Sequence, residues 1–184
     1  GDIRIIPEEL TASAYITTDE ADNQITGFNP GAMKHPSLCD LTTASPVECM
    51  AIVAPGNLQD MADYTKTYHG NGIFCIFDPG QSLPAWDSDD LAVTIGNANL
   101  LVSNDYELGL IKNATGLTED QLIEIVETIV TTKAELGSDV LTGAGRVTVP
   151  VVPTPGAVDP TGAGDAFRGG LIKGLVEGHS VERA

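Results

Sequence analysis

Short apolar runs alternate with segments of helical periodicity over most of this chain, and that alternation restricts its fold more than any other feature. The runs are bounded by glycine, proline or polar residues, which is typical of strands buried on both faces of a sheet. We therefore expect an α/β protein with a doubly wound, mostly parallel sheet and helices on both faces. The predicted strands are Cys49–Ala54, Gly72–Phe77, Leu100–Ser103 and Ile129–Thr132, the helices are Leu58–Tyr68, Asp87–Ala98, Asp105–Lys112 and Thr118–Thr128, and shorter β segments follow at Val140–Thr142 and Val147–Val152.

Residues 1–33 have no helical segment and follow a different pattern. Ile3–Ile6, Ala12–Thr18 and Gln24–Phe28 are predicted strands, and the polar residues 19–23 favour a hairpin between the last two. The predicted division is a small β-meander over residues 1–33 that stands off an α/β core over residues 34–184.

The chain is strongly acidic. Its 184 residues contain 26 Asp and Glu against 9 Lys and Arg, a net charge of −17. This charge argues against nucleic acid and anionic membranes as partners, because few cations are available to meet phosphates. A nucleotide site in this chain would need local features that overcome the overall field, such as helix-start N–H groups, Mg²⁺, or cations such as Lys133 and Arg146.

The cysteines suggest a reducing compartment. Cys39, Cys49 and Cys75 are odd in number and have no CxxC spacing, and no apolar run approaches the length of a membrane span. Cys49 and Cys75 lie in apolar runs, so we predict that both are buried free thiols. A cytoplasmic location is the corresponding expectation.

The stretch Val158–Gly170 reads VDPTGAGDAFRGG and joins a turn of small residues to an apolar helix. Glycines leave no side chain between the backbone N–H groups and a ligand. N–H groups at a helix start are unpaired and lie at the positive end of the helix dipole, which suits phosphate. Asp165, at this helix start, is either a reactive group or simply a cap of a tight strand-to-helix turn. Arg168 falls off the apolar face, and a solvated or packed side chain is favoured over a phosphate contact.

A second group of polar residues follows the predicted strands. Asp78, Asn104 and Lys133 come directly after strands and Thr132 ends one, and ligands of such folds bind at the carboxyl ends of the strands. Asn104 and Glu107 lie three residues apart at a predicted helix start. That spacing is compatible with a helix cap, with a functional site, or with both.

Four stretches resemble the ribokinase-like (PfkB) family of sugar and nucleoside kinases, and most closely its adenosine kinase-like members. They are SAYITTDEADNQITGFNPGAM, FDPGQSLP, SNDYE and DPTGAGDAFRGG, in the family's order. The resemblance implies ATP-dependent phosphoryl transfer to a nucleoside, most specifically to the 5′-hydroxyl of adenosine. A sugar kinase of ribose or fructose type is one alternative, and a nucleotide-binding or regulatory protein without turnover is another.

The resemblance also implies roles for individual residues. Asp165 would accept the proton of the attacking hydroxyl, and the N–H groups of Gly162, Ala163, Gly164 and Asp165 would hold the developing negative charge. Asn104 and Glu107 would hold waters around Mg²⁺. The nucleotide side would include Thr132, Lys133, Gly137, Asp159 and Thr161, with Asp159 stiffening the turn before Pro160.

Two further implications concern the meander and the extent of the chain. Residues 13–33 would form a lid over the substrate, with Gln24 and Phe28 facing it, and a homodimer through the lid sheet is a further expectation. Ala134 stands where the family usually has glycine. The family's N-terminal Gly-Gly substrate motif and the helices that complete its adenine pocket have no counterpart here, so the chain is expected to be an internal fragment.

Overall fold

The computed structural model describes residues 3–20, 24–41, 44, 45, 47, 49–153 and 161–184. It contains two separate sheets, one of two strands and one of six. The strands are β1 (Ser13–Thr18), β2 (Gln24–Asn29), β3 (Ala51–Val53), β4 (Cys75–Phe77), β5 (Leu100–Asn104), β6 (Thr128–Thr132), β7 (Ser138–Thr142) and β8 (Gly145–Val149), and the helices are α1 (Leu58–Gly70), α2 (Ser88–Gly96), α3 (Asp105–Thr115), α4 (Glu119–Ile125) and α5 (Ala163–Val176).

The six-stranded sheet has the order β3-β4-β5-β6-β7-β8. The pairs from β3 to β6 are parallel, and β7 and β8 add an antiparallel hairpin at one side. Parallel pairing places the carboxyl ends of β3 to β6 at one edge of the sheet. The expectation of a mostly parallel α/β sheet is confirmed.

Both faces of this sheet are covered. One face packs on α1, α2, α3 and α4 through a core that includes Met61, Leu91, Ile111 and Leu122. The opposite face packs on α5 through Leu171. Strand alternation accounts for the division, because Phe77 belongs to the first cluster and its neighbour Ile76 to the second.

Side-chain caps define the starts of four helices. The side chains of Asn57, Asp87, Asn104 and Thr118 accept hydrogen bonds from first-turn N–H groups of α1, α2, α3 and α4. Helix α4 ends at Ile125, earlier than the predicted end at Thr128, because Thr128 pairs with Leu100 as the first residue of β6. Tertiary pairing overrides helical periodicity at this boundary.

The small sheet is an antiparallel hairpin in which Ala14 pairs with Phe28 and Thr18 with Gln24. Its apolar side chains are largely exposed, among them Tyr15 and Ile25. The predicted strand Ile3–Ile6 is wrong, because these residues pair with no strand of the described chain. The turn predicted at residues 19–23 lies partly outside the described residues.

The three cysteines are free thiols, but only Cys75 is buried. Burial raises the pKa of the Cys75 thiol to about 12. Cys49 is exposed, so the prediction of its burial is wrong: its apolar neighbours enter β3 at Ala51, two residues further on. Within the described ranges, no helix has the length and apolar character required to cross a membrane.

Thiol reactivity should report this arrangement. With a chromogenic disulfide reagent near pH 8, we expect the Cys39 and Cys49 thiols to react rapidly and the Cys75 thiol to react only after denaturation. A Cys75→Ala variant is the control, and it should lose only the thiol that reacts after denaturation. Three thiols reacting at one rate in the folded protein would contradict the burial of Cys75.

Candidate active site

A polar cavity of about 380 Å³ lies at the carboxyl edge of the parallel strands, next to the start of α5. Segments from five parts of the chain meet there: the ends of the four parallel strands, which lie at the same edge of the sheet, and the start of α5. The cavity is lined by Ala54, Pro55, Asp78, Gly80, Gln81, Val102, Ser103, Asn104, Glu107, Thr132, Gly162, Gly164, Asp165, Phe167 and Arg168.

The start of α5 forms one wall of this cavity. Its N-cap residue, Gly162, has φ +78°, a left-handed conformation that favours glycine, and it has no side chain with which to cap the first turn. The first N–H groups of a helix have no acceptor within it, and among the described residues no side chain caps this turn, which suits an anion. A Cβ atom at Gly164 would meet no atom within 4 Å, which shows that open space adjoins this backbone.

Three charged side chains form a chain of contacts along this wall. Nη1 of Arg168 donates to Oδ2 of Asp78 at 2.5 Å, and Nη2 of Arg168 donates to Oδ1 of Asp165. The Asp78 side chain is 9% exposed and that of Arg168 is 17% exposed, whereas that of Asp165 is 75% exposed. Arg168 therefore links a buried carboxylate to an exposed one.

Asp78 is the most buried acid of the cavity lining. Burial raises the pKa of its carboxyl, the Arg168 guanidinium opposes that effect, and the nearby Glu107 adds to the rise. Oδ1 of Asp78 and Oγ of Ser103 are both buried without a hydrogen-bond partner in the described structure. Two polar atoms on the cavity wall are thus available to a ligand or to water.

Asn104 and Glu107 form a complete capping box at the start of α3. Glu107 N donates to Asn104 Oδ1 at 2.7 Å, and Asn104 N donates to Glu107 Oε2 at 2.9 Å. Both residues also line the cavity. The cap expected from their spacing is confirmed, and it leaves Oε1 of Glu107 outside the reciprocal pair.

A second cavity of about 380 Å³ adjoins the first and is more apolar. The two share Thr132, Gly164 and Phe167. The lining of the second cavity is completed by Ala134, Gly137, Ser138, Val149, Pro150, Val151, Val152 and Ala163.

The predicted nucleotide-side residues from Thr132 to Gly137 do not all line the cavities. Thr132 lines both cavities and Gly137 lines the apolar one. The Lys133 ammonium instead donates to Oδ1 of Asp139 at 2.7 Å, and Arg146 donates to Oδ2 of the same carboxylate. These contacts, with Lys133 first, lower the pKa of Asp139.

The structure thus brings together the predicted residues Asn104, Glu107, Thr132, Gly162, Gly164 and Asp165 around the polar cavity, and it adds Gly137 and Ala163 through the apolar one. Phe28 is absent from the lining residues of both cavities, and the Gln24 side chain lies outside the described part of the structure. Thr161 directly precedes Gly162, and Asp159 lies outside the described residues.

Sequence reasoning missed the ion pair between Asp78 and Arg168 and the position of Ser103 in the cavity lining. Arg168 is neither solvated nor merely packed, because it pairs with a carboxylate 90 positions away in the chain. Its spacing of three residues from Asp165 was the available signal, since residues at i and i+3 of a helix share a face. No local signal identifies the partner at Asp78.

This arrangement defines the class of protein: an α/β fold with uncapped helix-start amides and carboxylates at the carboxyl edge of its parallel strands. Comparison with known families gives a narrower assignment. The family model described as pfkB family carbohydrate kinase matches residues 2–184, and the chain belongs to that family.

Individual relatives agree with this assignment. The nucleoside kinase of Methanocaldococcus jannaschii is 32% identical over 176 residues, which cover 96% of this chain and 57% of the relative. The structure of Burkholderia thailandensis nucleoside kinase in complex with inosine matches with a TM-score of 0.89 and 37% identity, over 98% of this chain and 60% of that protein. Adenosine kinase from Sinorhizobium meliloti shares the fold, with a TM-score of 0.68 at 22% identity over 94% of this chain and 56% of that protein.

The chain spans less than two thirds of the length of the curated relatives that it matches, 57% and 58% for two archaeal nucleoside kinases.

Gly137 has a backbone conformation and a close neighbour that leave no room for a larger residue. Gly137 has φ +88° and ψ −137°, and a Cβ atom there would lie 2.1 Å from the carbonyl oxygen of Val149. We expect Gly137→Ala to lower the free energy of unfolding by about 3 kcal/mol or more, as measured by denaturant titration. The matched control is Gly143→Ala, where a Cβ atom would meet no atom within 4 Å. Equal losses for the two variants would contradict this account.

Ala134 generates the opposite prediction. Its φ of +49° lies in the left-handed region that costs an L-residue about 1–2 kcal/mol. Glycine removes this strain but increases the entropy of the unfolded chain, so we expect Ala134→Gly to raise the free energy of unfolding by up to about 1 kcal/mol. The control Ala92→Gly, within α2, should lower it by about 0.5–1 kcal/mol. Similar losses in both variants would show that Ala134 is unstrained.

Proposed function

We propose that this protein catalyses ATP-dependent phosphoryl transfer to a hydroxyl of a nucleoside. The observation that carries the proposal is the position of Asp165 beside the uncapped N–H groups of α5, on the wall of a cavity that also contains Glu107. Similar proteins also support the proposal, because those of Methanocaldococcus jannaschii and Burkholderia thailandensis are nucleoside kinases, the latter in complex with inosine. Within this proposal, the 5′-hydroxyl of adenosine is the most specific acceptor, with AMP as product.

Asp165 supplies the proton acceptor of the proposed reaction. The nucleoside oxygen forms a bond to the γ-phosphorus, the bond from that phosphorus to the β,γ-bridging oxygen breaks, and ADP leaves. The hydroxyl proton passes to the Asp165 carboxylate. An ordinary carboxylate suffices, because the proton departs late in a loose transition state and the residue chiefly orients the hydroxyl.

The first turn of α5 supplies the anion site. The N–H groups of Gly162, Ala163, Gly164 and Asp165 are directed to charge that develops on the transferring group, and the helix dipole adds to their effect. Since this backbone is fixed before substrate binds, it needs no reorganisation during the reaction.

The polar cavity fits a hydrated Mg²⁺ ion. Glu107 and Asp78 both line the cavity, and Oδ1 of Asp78 and Oγ of Ser103 are buried with no hydrogen-bond partner among the described residues. Such oxygens are the ligands that suit the waters of a hard cation. When bound, the cation supplies charge neutralisation on the phosphates. We propose that Asn104 and Glu107 hold its waters while they also cap α3.

The adjoining apolar cavity suits the base of the nucleotide. Val149, Val151 and Phe167 offer apolar surface, and Thr132 lines both this cavity and the polar one. This arrangement would direct the phosphates of ATP to the start of α5. Thr161 would contribute from the turn before Gly162, and the predicted role of Asp159 rests on the resemblance alone. Lys133 would have to exchange Asp139 for a phosphate if it contacts the nucleotide.

The β1–β2 hairpin is proposed to close over the nucleoside. Phe28 is 51% exposed and Ile25 is 78% exposed, so the hairpin presents apolar side chains that a ligand or a second hairpin could cover. We propose that Gln24 and Phe28 face the nucleoside, and that a homodimer through the hairpin covers the remaining apolar surface.

A turnover assay tests the proposed function. We expect phosphate transfer from Mg-ATP to adenosine or inosine, little transfer to ribose or fructose, and loss of activity on chelation of Mg²⁺. Asp165→Asn should lower kcat at least about 100-fold with a small change in KM. The control is Asp89→Asn, an exposed acid in the first turn of α2 outside the cavity, which should retain activity.

Each other outcome has a distinct meaning. Turnover of sugars in preference to nucleosides would show that the acceptor is a sugar and not a nucleoside. Nucleotide binding without any turnover would favour a binding or regulatory protein. Undiminished activity of Asp165→Asn would remove the role assigned to that carboxylate.

A further inference from the structure

Arg168 is the single Lys or Arg among the described residues that line the polar cavity. The other charged residues there are Asp78, Glu107 and Asp165, so the lining carries three carboxyl groups and one guanidinium. In a chain of net charge −17, a phosphate that enters this cavity meets one full positive charge from protein side chains. Helix amides alone supply only partial charges.

The two ends of the Arg168 guanidinium are held very differently. Its contact with Asp78 is buried, and removal of one partner would leave an uncompensated charge inside the protein. Its contact with Asp165 involves a carboxylate that is 75% exposed, and exposed ion pairs contribute little to stability. One end is therefore anchored, and the other can exchange its partner at low cost.

A phosphate is well matched to the exchangeable end. Guanidinium groups bind phosphate oxygens through charge-assisted hydrogen bonds in a planar, fork-like geometry. Nη2 of Arg168 currently contacts Asp165, which immediately follows the amides of Gly162, Ala163 and Gly164 in the chain. A phosphate bound to those amides would therefore lie close to Nη2.

We propose that Arg168 is a phosphate-binding residue of the nucleotide site, anchored by Asp78, and that bound phosphate replaces Asp165 as its second partner. The exchange frees the Asp165 carboxylate to accept the hydroxyl proton only when nucleotide is present. Without nucleotide, Arg168 occupies that carboxylate. This inference rests on the proposed function, because it assumes a nucleotide phosphate at the start of α5.

Calorimetric titration with MgADP and, separately, with inosine provides the test, using wild type, Arg168→Gln, Arg168→Lys and the control Lys173→Gln. Lys173 lies on the same helix and pairs with Glu177 outside the cavity. We expect Arg168→Gln to weaken MgADP binding at least about tenfold, because a charge-assisted hydrogen bond is lost. Inosine affinity should not fall, since this ligand has no phosphate and the loss of Arg168 leaves the Asp165 carboxylate free for the nucleoside hydroxyl. Arg168→Lys should recover part of the loss, because a lysine keeps the charge without the fork, and Lys173→Gln should bind as wild type.

A double variant separates phosphate binding from a purely structural role. Arg168→Gln leaves Asp78 buried and unpaired, whereas Asp78→Asn with Arg168→Gln removes both charges and should restore stability to denaturant. We expect MgADP binding of the double variant to stay weak. Recovery of wild-type affinity would overturn the proposal, since Arg168 would then serve only to neutralise Asp78, and so would unchanged MgADP affinity in a folded Arg168→Gln protein.

Failure of the proposed function has a different signature. A wild-type protein that binds MgADP, loses that binding in both Arg168→Gln and the double variant, and phosphorylates no nucleoside or sugar would retain the phosphate-binding role of Arg168 and exclude the kinase activity. A wild-type protein that binds no MgADP would overturn both.

Discussion

The ion pair between Asp78 and Arg168 joins the end of β4 to the first turns of α5, and the geometry of the cavity depends on it. Apolar packing through Leu171 holds the middle of α5 against the sheet, but such packing is non-directional. The buried pair adds a directional contact nearer the start of the helix, at Arg168. Because the loss of either partner leaves a buried charge, the first turn of α5 is held beside the carboxyl ends of the strands. The amides of that turn and Asp165 take their positions from this constraint.

The acidity of the chain adds a second physical condition. Three carboxyl groups line the cavity, so any phosphate there must be balanced by positive charge or by oriented dipoles. The uncapped start of α5 provides dipoles, Arg168 provides a full charge, and the oxygens of Glu107 and Asp78 suit a hydrated divalent cation. Under the proposed function these three contributions act together. Acidic side chains elsewhere on the surface would weaken phosphate binding little, because exposed charges more than about 10 Å away are screened by salt.

Patterns confined to neighbouring residues predicted the structure well. The strands β4, β5 and β6 lie within or close to the predicted runs, and the cap made by Asn104 and Glu107 follows from their spacing. Predictions failed where pairing or burial depends on residues that are distant in the chain. Ile3–Ile6 has strand-like composition but pairs with no described strand, and Cys49 precedes a buried strand without sharing its burial. Lys133 follows a strand as predicted, but the structure pairs it with Asp139, whose position depends on the antiparallel return of β7.

By itself, the sequence determined the α/β alternation, the carboxyl-edge position of the polar residues, and the small-residue turn that leads to Asp165. These features depend on periodicity and on backbone chemistry, which act over a few residues. Only the tertiary structure decided that Arg168 lies between Asp165 and Asp78, that Asp78 and Ser103 have buried atoms with no partner in the described part of the chain, and that Ala134 has positive φ. The physical reason is distance along the chain: Asp78 and Arg168 are 90 positions apart, and their contact exists only because parallel pairing and the packing of α5 bring strand end and helix start to one edge.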